Sequence, residues 1–138
     1  LILDEKGINT TYSGRFNAFL ATLDFNNLKY KIIETYRNDE KQADYYKQGR
    51  EIPGNVITNA RPGESYHNYG AALDLVPIDK NGKVDFTDAI AYFEMGVAAS
   101  KHGLEWGGSW KSLKDSGHFQ IPSKEISIDE LKLKYPLA

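Results

Sequence analysis

The run Ala71–Val76, AALDLV, sets one carboxylate in the middle of an otherwise apolar stretch. Its composition predicts a buried strand. Alternate side chains of a strand share a face, so Ala72, Asp74 and Val76 point the same way. A buried charge is costly unless it is paired or binds a metal. The chain must therefore bring a partner to Asp74.

Short elements are spread along the chain around this strand. Phe16, Phe19, Leu20 and Leu23 follow helical spacing, with Ser13 as the expected N-cap. Tyr30–Tyr36 is β-branched and aromatic and predicts a strand. Asp39–Gln48 predicts a helix stopped by Gly49, with Asp39 and Gln42 spaced as a capping box. Residues 49–69 are rich in Gly, Pro, Asn and Ser and predict a long loop, a feature that is usually functional. Asp88–His102 predicts a helix with Ile90, Phe93 and Val97 on one face and Gly103 as its stop. Strand-like pieces follow at 104–106 and 117–121, and a helical turn is expected near the end. Separated strands and helices indicate an α+β fold in one domain, residues 1–138.

Composition removes several functions. There are no cysteines, so disulfides, thiolate metal sites and cysteine nucleophiles are excluded. A net charge of −2 with scattered basic residues speaks against a nucleic-acid partner. No apolar run is long enough to span a membrane, and no secretion signal opens the chain. Leu1 in place of Met is read as a processed or trimmed start. The chain is expected to be a monomer.

Two of the three histidines, His67 and His118, stand where a polar loop enters a strand. With Asp74 they form a ligand set suited to zinc, leaving a fourth tetrahedral position for water. Bound zinc brings the pKa of its water toward about 7, and a nearby carboxylate then handles the proton. Asp115, three residues before His118, is the candidate. Other readings stay open on spacing alone: Asp74 as a turn cap or arginine partner, Asp115 as a plain loop acid, either histidine as a hydrogen-bonded surface residue. Two histidines and a carboxylate also form an iron facial triad, but those usually place the first His and the carboxylate one residue apart, whereas here 74 − 67 = 7. His102, at a helix C-terminus, is read as structural.

Ser65-x-His67-x-x-Gly70-x-Ala72-x-Asp74 followed by Asp115-x-x-His118-Phe119 resembles the zinc peptidases that cut bacterial peptidoglycan. That family includes D-alanyl-D-alanine carboxypeptidases, dipeptidases and L-alanyl-D-glutamate endopeptidases. Tyr36-Arg37, Gln48-Gly49-Arg50, Val56–Ala60 and Trp106–Trp110 match the endopeptidase branch, as does Asp rather than Glu at 115. The resemblance implies a small antiparallel sheet flanked by helices, with a zinc site at the sheet edge. It implies His67, Asp74 and His118 as ligands, Asp115 as general base and acid, and Arg37 as the cation facing the oxyanion. Ser65, Trp106, Trp110 and Gln42 are the expected substrate-binding residues. Ser65 has loop orientation as its alternative, Trp106 and Trp110 have core filling, Gln42 has capping, and Arg37 a surface salt bridge.

The expected activity is zinc-dependent hydrolysis of the L-Ala–D-Glu bond of the stem peptide, in a cell wall or periplasmic setting reached by secretion or by phage lysis. The chain ends soon after the second motif, which suggests a single-domain lysin, a housekeeping hydrolase or an isolated catalytic domain. The alternatives are removal of terminal D-Ala from the same peptide, and a zinc-bearing module that binds wall without cutting it.

Overall fold

The computed structural model describes residues 1–136. Helix α1 (Ser13–Phe25) is followed by β1 (Tyr30–Glu34), α2 (Asp39–Lys47), a 3₁₀ turn (Tyr66–Tyr69), β2 (Ala72–Pro77), α3 (Ala89–Lys101), β3 (Glu105–Trp106), a second 3₁₀ turn (Gly107–Ser109), β4 (His118–Gln120) and α4 (Ile128–Lys134). The strands form one antiparallel sheet in the order β1-β2-β4-β3. The α+β architecture expected from the sequence is the one observed.

Strand parity divides the sheet into two faces. Leu73 lies opposite Phe119, and Trp106 opposite Phe119 in turn, all on the helix side. Leu73 and Phe119 are fully buried there with Phe16, Phe19, Leu23 and Met95. The rings of Phe19 and Phe119 lie 5.0 Å apart. Asp74 opposite His118, and Ala72 opposite Gln120, take the other face. The site thus sits at the end of the central β2–β4 ladder, in the middle of the sheet rather than along an outer strand.

One irregularity decides what joins them. Ile32 pairs with Leu75 but Glu34, not Ile33, pairs with Asp74, so β1 carries a bulge. The extra residue flips parity and puts Glu34 on the Asp74 face. Without it Glu34 would point toward the core.

Several local expectations are corrected. The N-cap position of α1 is Tyr12, and Ser13 is the first helical residue, its hydroxyl donating to the Thr10 carbonyl. Asn38, not Asp39, caps α2 by accepting from the Lys41 N–H, which leaves Gln42 out of any capping box. On α3 the stripe Ile90, Phe93 and Val97 faces solvent; Tyr92, Met95, Ala98 and Ala99 are the buried residues. Two apolar stripes compete on this helix, and small side chains at 98 and 99 let it approach the sheet and α1 more closely. Asp88 stands just before the helix as its N-cap, accepting from the Ala91 N–H.

Because Phe119 ties the site-bearing strand to α1, Phe119→Ala should cost about 3–5 kcal/mol of stability. Urea unfolding measures it; a loss below about 1 kcal/mol would show that this packing does not anchor β4.

Candidate metal centre and catalytic cleft

His67 is placed by the first 3₁₀ turn, which interrupts the loop expected over 49–69. Ser65 accepts from the His67 N–H at 3.2 Å and forms a reciprocal capping box with Asn68. Asn68 also donates to the Arg37 carbonyl, while the Arg37 N–H donates to the His67 carbonyl. Gly70 ends the turn at φ +61, where a Cβ would meet the Asn9 nitrogen at 2.7 Å. The turn therefore holds His67 over β2 against two other parts of the chain.

His67, Asp74 and His118 converge as the sequence suggested. Asp74 Oδ1 lies 3.1 Å from His67 Nε2 and 3.1 Å from His118 Nδ1. Ligand atoms of all three fall within 4.8 Å of one another. Zinc bonds of about 2.0–2.1 Å at tetrahedral angles separate ligand atoms by about 3.3 Å, close to both distances from Asp74.

The outer nitrogens of both rings decide the chemistry. His67 Nδ1 is 2.6 Å from the Thr35 carbonyl, and His118 Nε2 is 2.7 Å from Gln120 Oε1. Both partners are acceptors, so each outer nitrogen carries the proton, and each ring in its neutral form turns a lone pair inward. Two lone pairs and a carboxylate then face one point, an arrangement that calls for a cation. The residues fit a zinc ion.

A cleft of about 1040 Å³ opens over this cluster, lined by Arg37, Ser65, Trp110, Lys114 and Asp115 among others. Asp115 lies on its rim, its N–H bonded to the Gly107 carbonyl and its carbonyl accepting from the His118 N–H. A Cβ on Gly107 would meet that carbonyl at 2.3 Å, so the loop closes only over glycine. Desolvation and the nearby Asp74 charge push the Asp115 carboxyl upward. Trp110 borders the cleft with its ring 5.1 Å from that of His118 and its N–H on Glu105.

Other expected site residues have different places. Trp106 follows Phe119 to the helix side by strand parity, and there it meets Gly96 and Phe93 while its N–H donates to the Ser116 carbonyl. Gln42 is completely buried, accepting from Arg37 and donating to the Ala60 carbonyl, so it braces the cleft instead of touching its contents. Ser65 spends its hydroxyl on the turn, though it also borders the cleft. Arg37 is buried: it donates to Glu34 through Nε and Nη2, stacks 4.6 Å over Tyr45, and comes within 4.0 Å of Asp74 Oδ2. Its alternative of a surface ion pair becomes a buried one. His102 bonds Thr22 at 2.7 Å at the end of α3, away from the cleft.

Glu34 and Gln120 were not foreseen. Gln120 was legible, since it stands two residues after His118 on one strand face. Glu34 was not, because only the bulge turns it toward Asp74. Burial would raise the Glu34 carboxyl, yet hydrogen bonds from Arg37 and Lys41 hold it below the usual range.

The family model described as D-alanyl-D-alanine carboxypeptidase matches residues 58–121, somewhat under half of the chain. The peptidoglycan L-alanyl-D-glutamate endopeptidase CwlK of Bacillus subtilis is 39% identical over 98 residues, covering 65% of this chain and 59% of the relative. The chain thus spans about three-fifths of the length of that curated relative. Among solved structures, the L-Ala D-Glu endopeptidase ChiX of Serratia marcescens superposes with a TM-score of 0.66 at 23% identity, over 88% of this chain and 85% of its own. The D,D-pentapeptidase VanY, solved with Zn(II), gives 0.62 at 15% identity over 95% and 88%.

Two outcomes test this geometry. Gln120→Leu should weaken zinc binding about 10–100-fold in chelator competition, with unchanged affinity counting against the inward lone pair of His118. The folded pKa of Glu34 is lowered, so its stabilisation is present above the unfolded value near 4.3 and is lost as pH falls through the folded one. Glu34→Gln should therefore be less stable than the parent at pH 7, with the gap closing below about pH 4 in thermal melts; a gap that does not depend on pH would contradict the ion pair. Motifs, the match over residues 58–121 and the shared fold agree, and together they make the chain similar to the zinc peptidases of bacterial peptidoglycan.

Proposed function

We propose that this protein is a zinc-dependent endopeptidase that hydrolyses the L-Ala–D-Glu bond of peptidoglycan stem peptides. The inward-facing lone pairs of His67 and His118 against Asp74, each set by an acceptor on the far nitrogen, carry the metal part of this reading. Zinc held there supplies a Lewis acid and an acidified water. The remaining work belongs to the chain. Asp115, on the cleft rim beside His118, takes the proton of the attacking water and returns it to the leaving amine. Arg37, locked by Glu34 and Gln42, faces the charge that develops on the scissile carbonyl oxygen. Trp110 provides an apolar wall beside His118.

Asp at position 115 and the likeness to CwlK, named for L-Ala–D-Glu cleavage, support this choice of bond, and ChiX shares the fold. Removal of a terminal D-Ala is the second reading, favoured by the description of the matching family and by the fold of VanY. The substrate places the protein's work in the cell wall or periplasm, and no helix among the described residues is long and apolar enough to cross a membrane.

Digestion of purified peptidoglycan followed by mass spectrometry of the muropeptides separates the readings. New D-Glu amino termini are expected; free D-Ala in their place would shift the assignment, and an unaltered wall would remove the peptidase. Asp115→Asn should lower kcat by at least about 10²–10⁴-fold while zinc content stays at the parental level. Near-parental turnover in that variant would show that another group moves the proton.

A further inference from the structure

The segment Gln48-Gly49-Arg50 and the run Val56–Ala60 have no part in the chemistry above, although Val56 to Ala60 all line the cleft beside His67 and Asp74. Residues 55–61 run straight, with no turn or bend. Three side chains hold this run, Gln48 at its start and Arg50 and Gln42 along Thr58–Ala60. Gln48 donates to the Asn55 carbonyl at 3.0 Å and Gln42 to the Ala60 carbonyl at 2.8 Å. Arg50 reaches the Thr58 carbonyl at 3.0 Å, the Tyr46 carbonyl at 2.7 Å and Asn59 Oδ1 at 3.0 Å, with its guanidinium 3.9 Å over the Tyr46 ring. Gly49, at φ +82, lets the chain pass so close that a Cβ would meet the Val56 nitrogen at 2.7 Å.

In an extended chain the N–H and C=O of one residue point the same way, and those of its neighbours point the opposite way. The carbonyls of Thr58 and Ala60 are drawn toward α2 and its following turn. Ile57 and Asn59 therefore present their backbone groups to the other side. Among the described residues, neither the N–H nor the C=O of Ile57 or of Asn59 has a hydrogen-bond partner. Such a braced strand with one free edge can pair with an added peptide strand.

We infer that Ile57–Asn59 is a main-chain docking rail on which the peptide backbone of the substrate pairs, and that Arg50 is the positioning residue that keeps it straight. The inference rests on the peptide substrate proposed above and adds how it is held. Main-chain pairing engages amide groups that every peptide carries, so it needs no pocket fitted to a particular side chain. Thr58 and Asn59 gain a reason to be where they are without touching the metal.

The test uses zinc-loaded Asp115→Asn, which binds without cleaving, and the synthetic peptide N-acetyl-L-alanyl-γ-D-glutamyl-L-lysine. Solvent-exchange NMR should show exchange at the Ile57 and Asn59 amides slowed about tenfold or more on saturation, and calorimetry should show Arg50→Ala on that background weakening binding about three- to tenfold at unchanged zinc stoichiometry. Unslowed exchange at both amides, or a peptide that does not bind, overturns the rail. If Arg50→Ala fails to fold, the exchange result on the parent still decides. Wall cleavage by the wild-type protein alongside unprotected amides would leave the peptidase standing and remove the rail, whereas an uncut wall removes the peptidase itself.

Discussion

Two imidazole lone pairs and a carboxylate oxygen are forced to face one another at about van der Waals distance, and the surrounding structure is arranged so that they cannot turn away. His67 is held by the Thr35 carbonyl behind it, His118 by Gln120, and Asp74 by its place in the ladder opposite His118. In the absence of a positive charge this geometry is repulsive between neutral rings and a carboxylate. A divalent cation there would turn this repulsion into attraction and so link metal binding to the stability of the strand ends and of the 3₁₀ turn.

A second charge cluster stands behind the first. Glu34 joins Arg37 and Lys41, and Arg37 reaches toward Asp74. An arginine held by a buried carboxylate and a buried amide has few conformations left, and a cation that need not reorganise is the more effective at developing negative charge. Removing one partner would leave a charge buried and uncompensated, so the cluster acts as one unit. The same Gln42 that orients Arg37 also holds the Ala60 carbonyl of the opposite cleft wall, so one buried amide connects cation and wall.

The misplaced expectations share a cause. Trp106 and Glu105 differ by one residue, and strand alternation sends the first to α3 and the second to Trp110. The stripe Ile90, Phe93 and Val97 has helical spacing as good as that of the buried stripe, and periodicity cannot rank two faces by how closely each can approach a sheet. Gln42 fitted a capping spacing, but Asn38 took the cap one residue earlier and freed Gln42 to be buried.

What the amino-acid order determined by itself was the donor chemistry: no thiols, two histidines at loop-to-strand entries, one aspartate inside an apolar strand, and a second aspartate three residues before His118. Those are properties of residue type and short spacing, and joined to the motif resemblance they point to candidate ligands and a class of reaction. Only the tertiary structure decided which nitrogen of each ring faces inward, that Glu34 joins the site, and that Ile57 and Asn59 keep a free backbone edge. Each of these depends on a partner far along the chain or on a single-residue register change at a bulge. Neither a distant hydrogen bond nor a parity flip leaves a mark in local sequence, because both are settled by packing of the whole sheet.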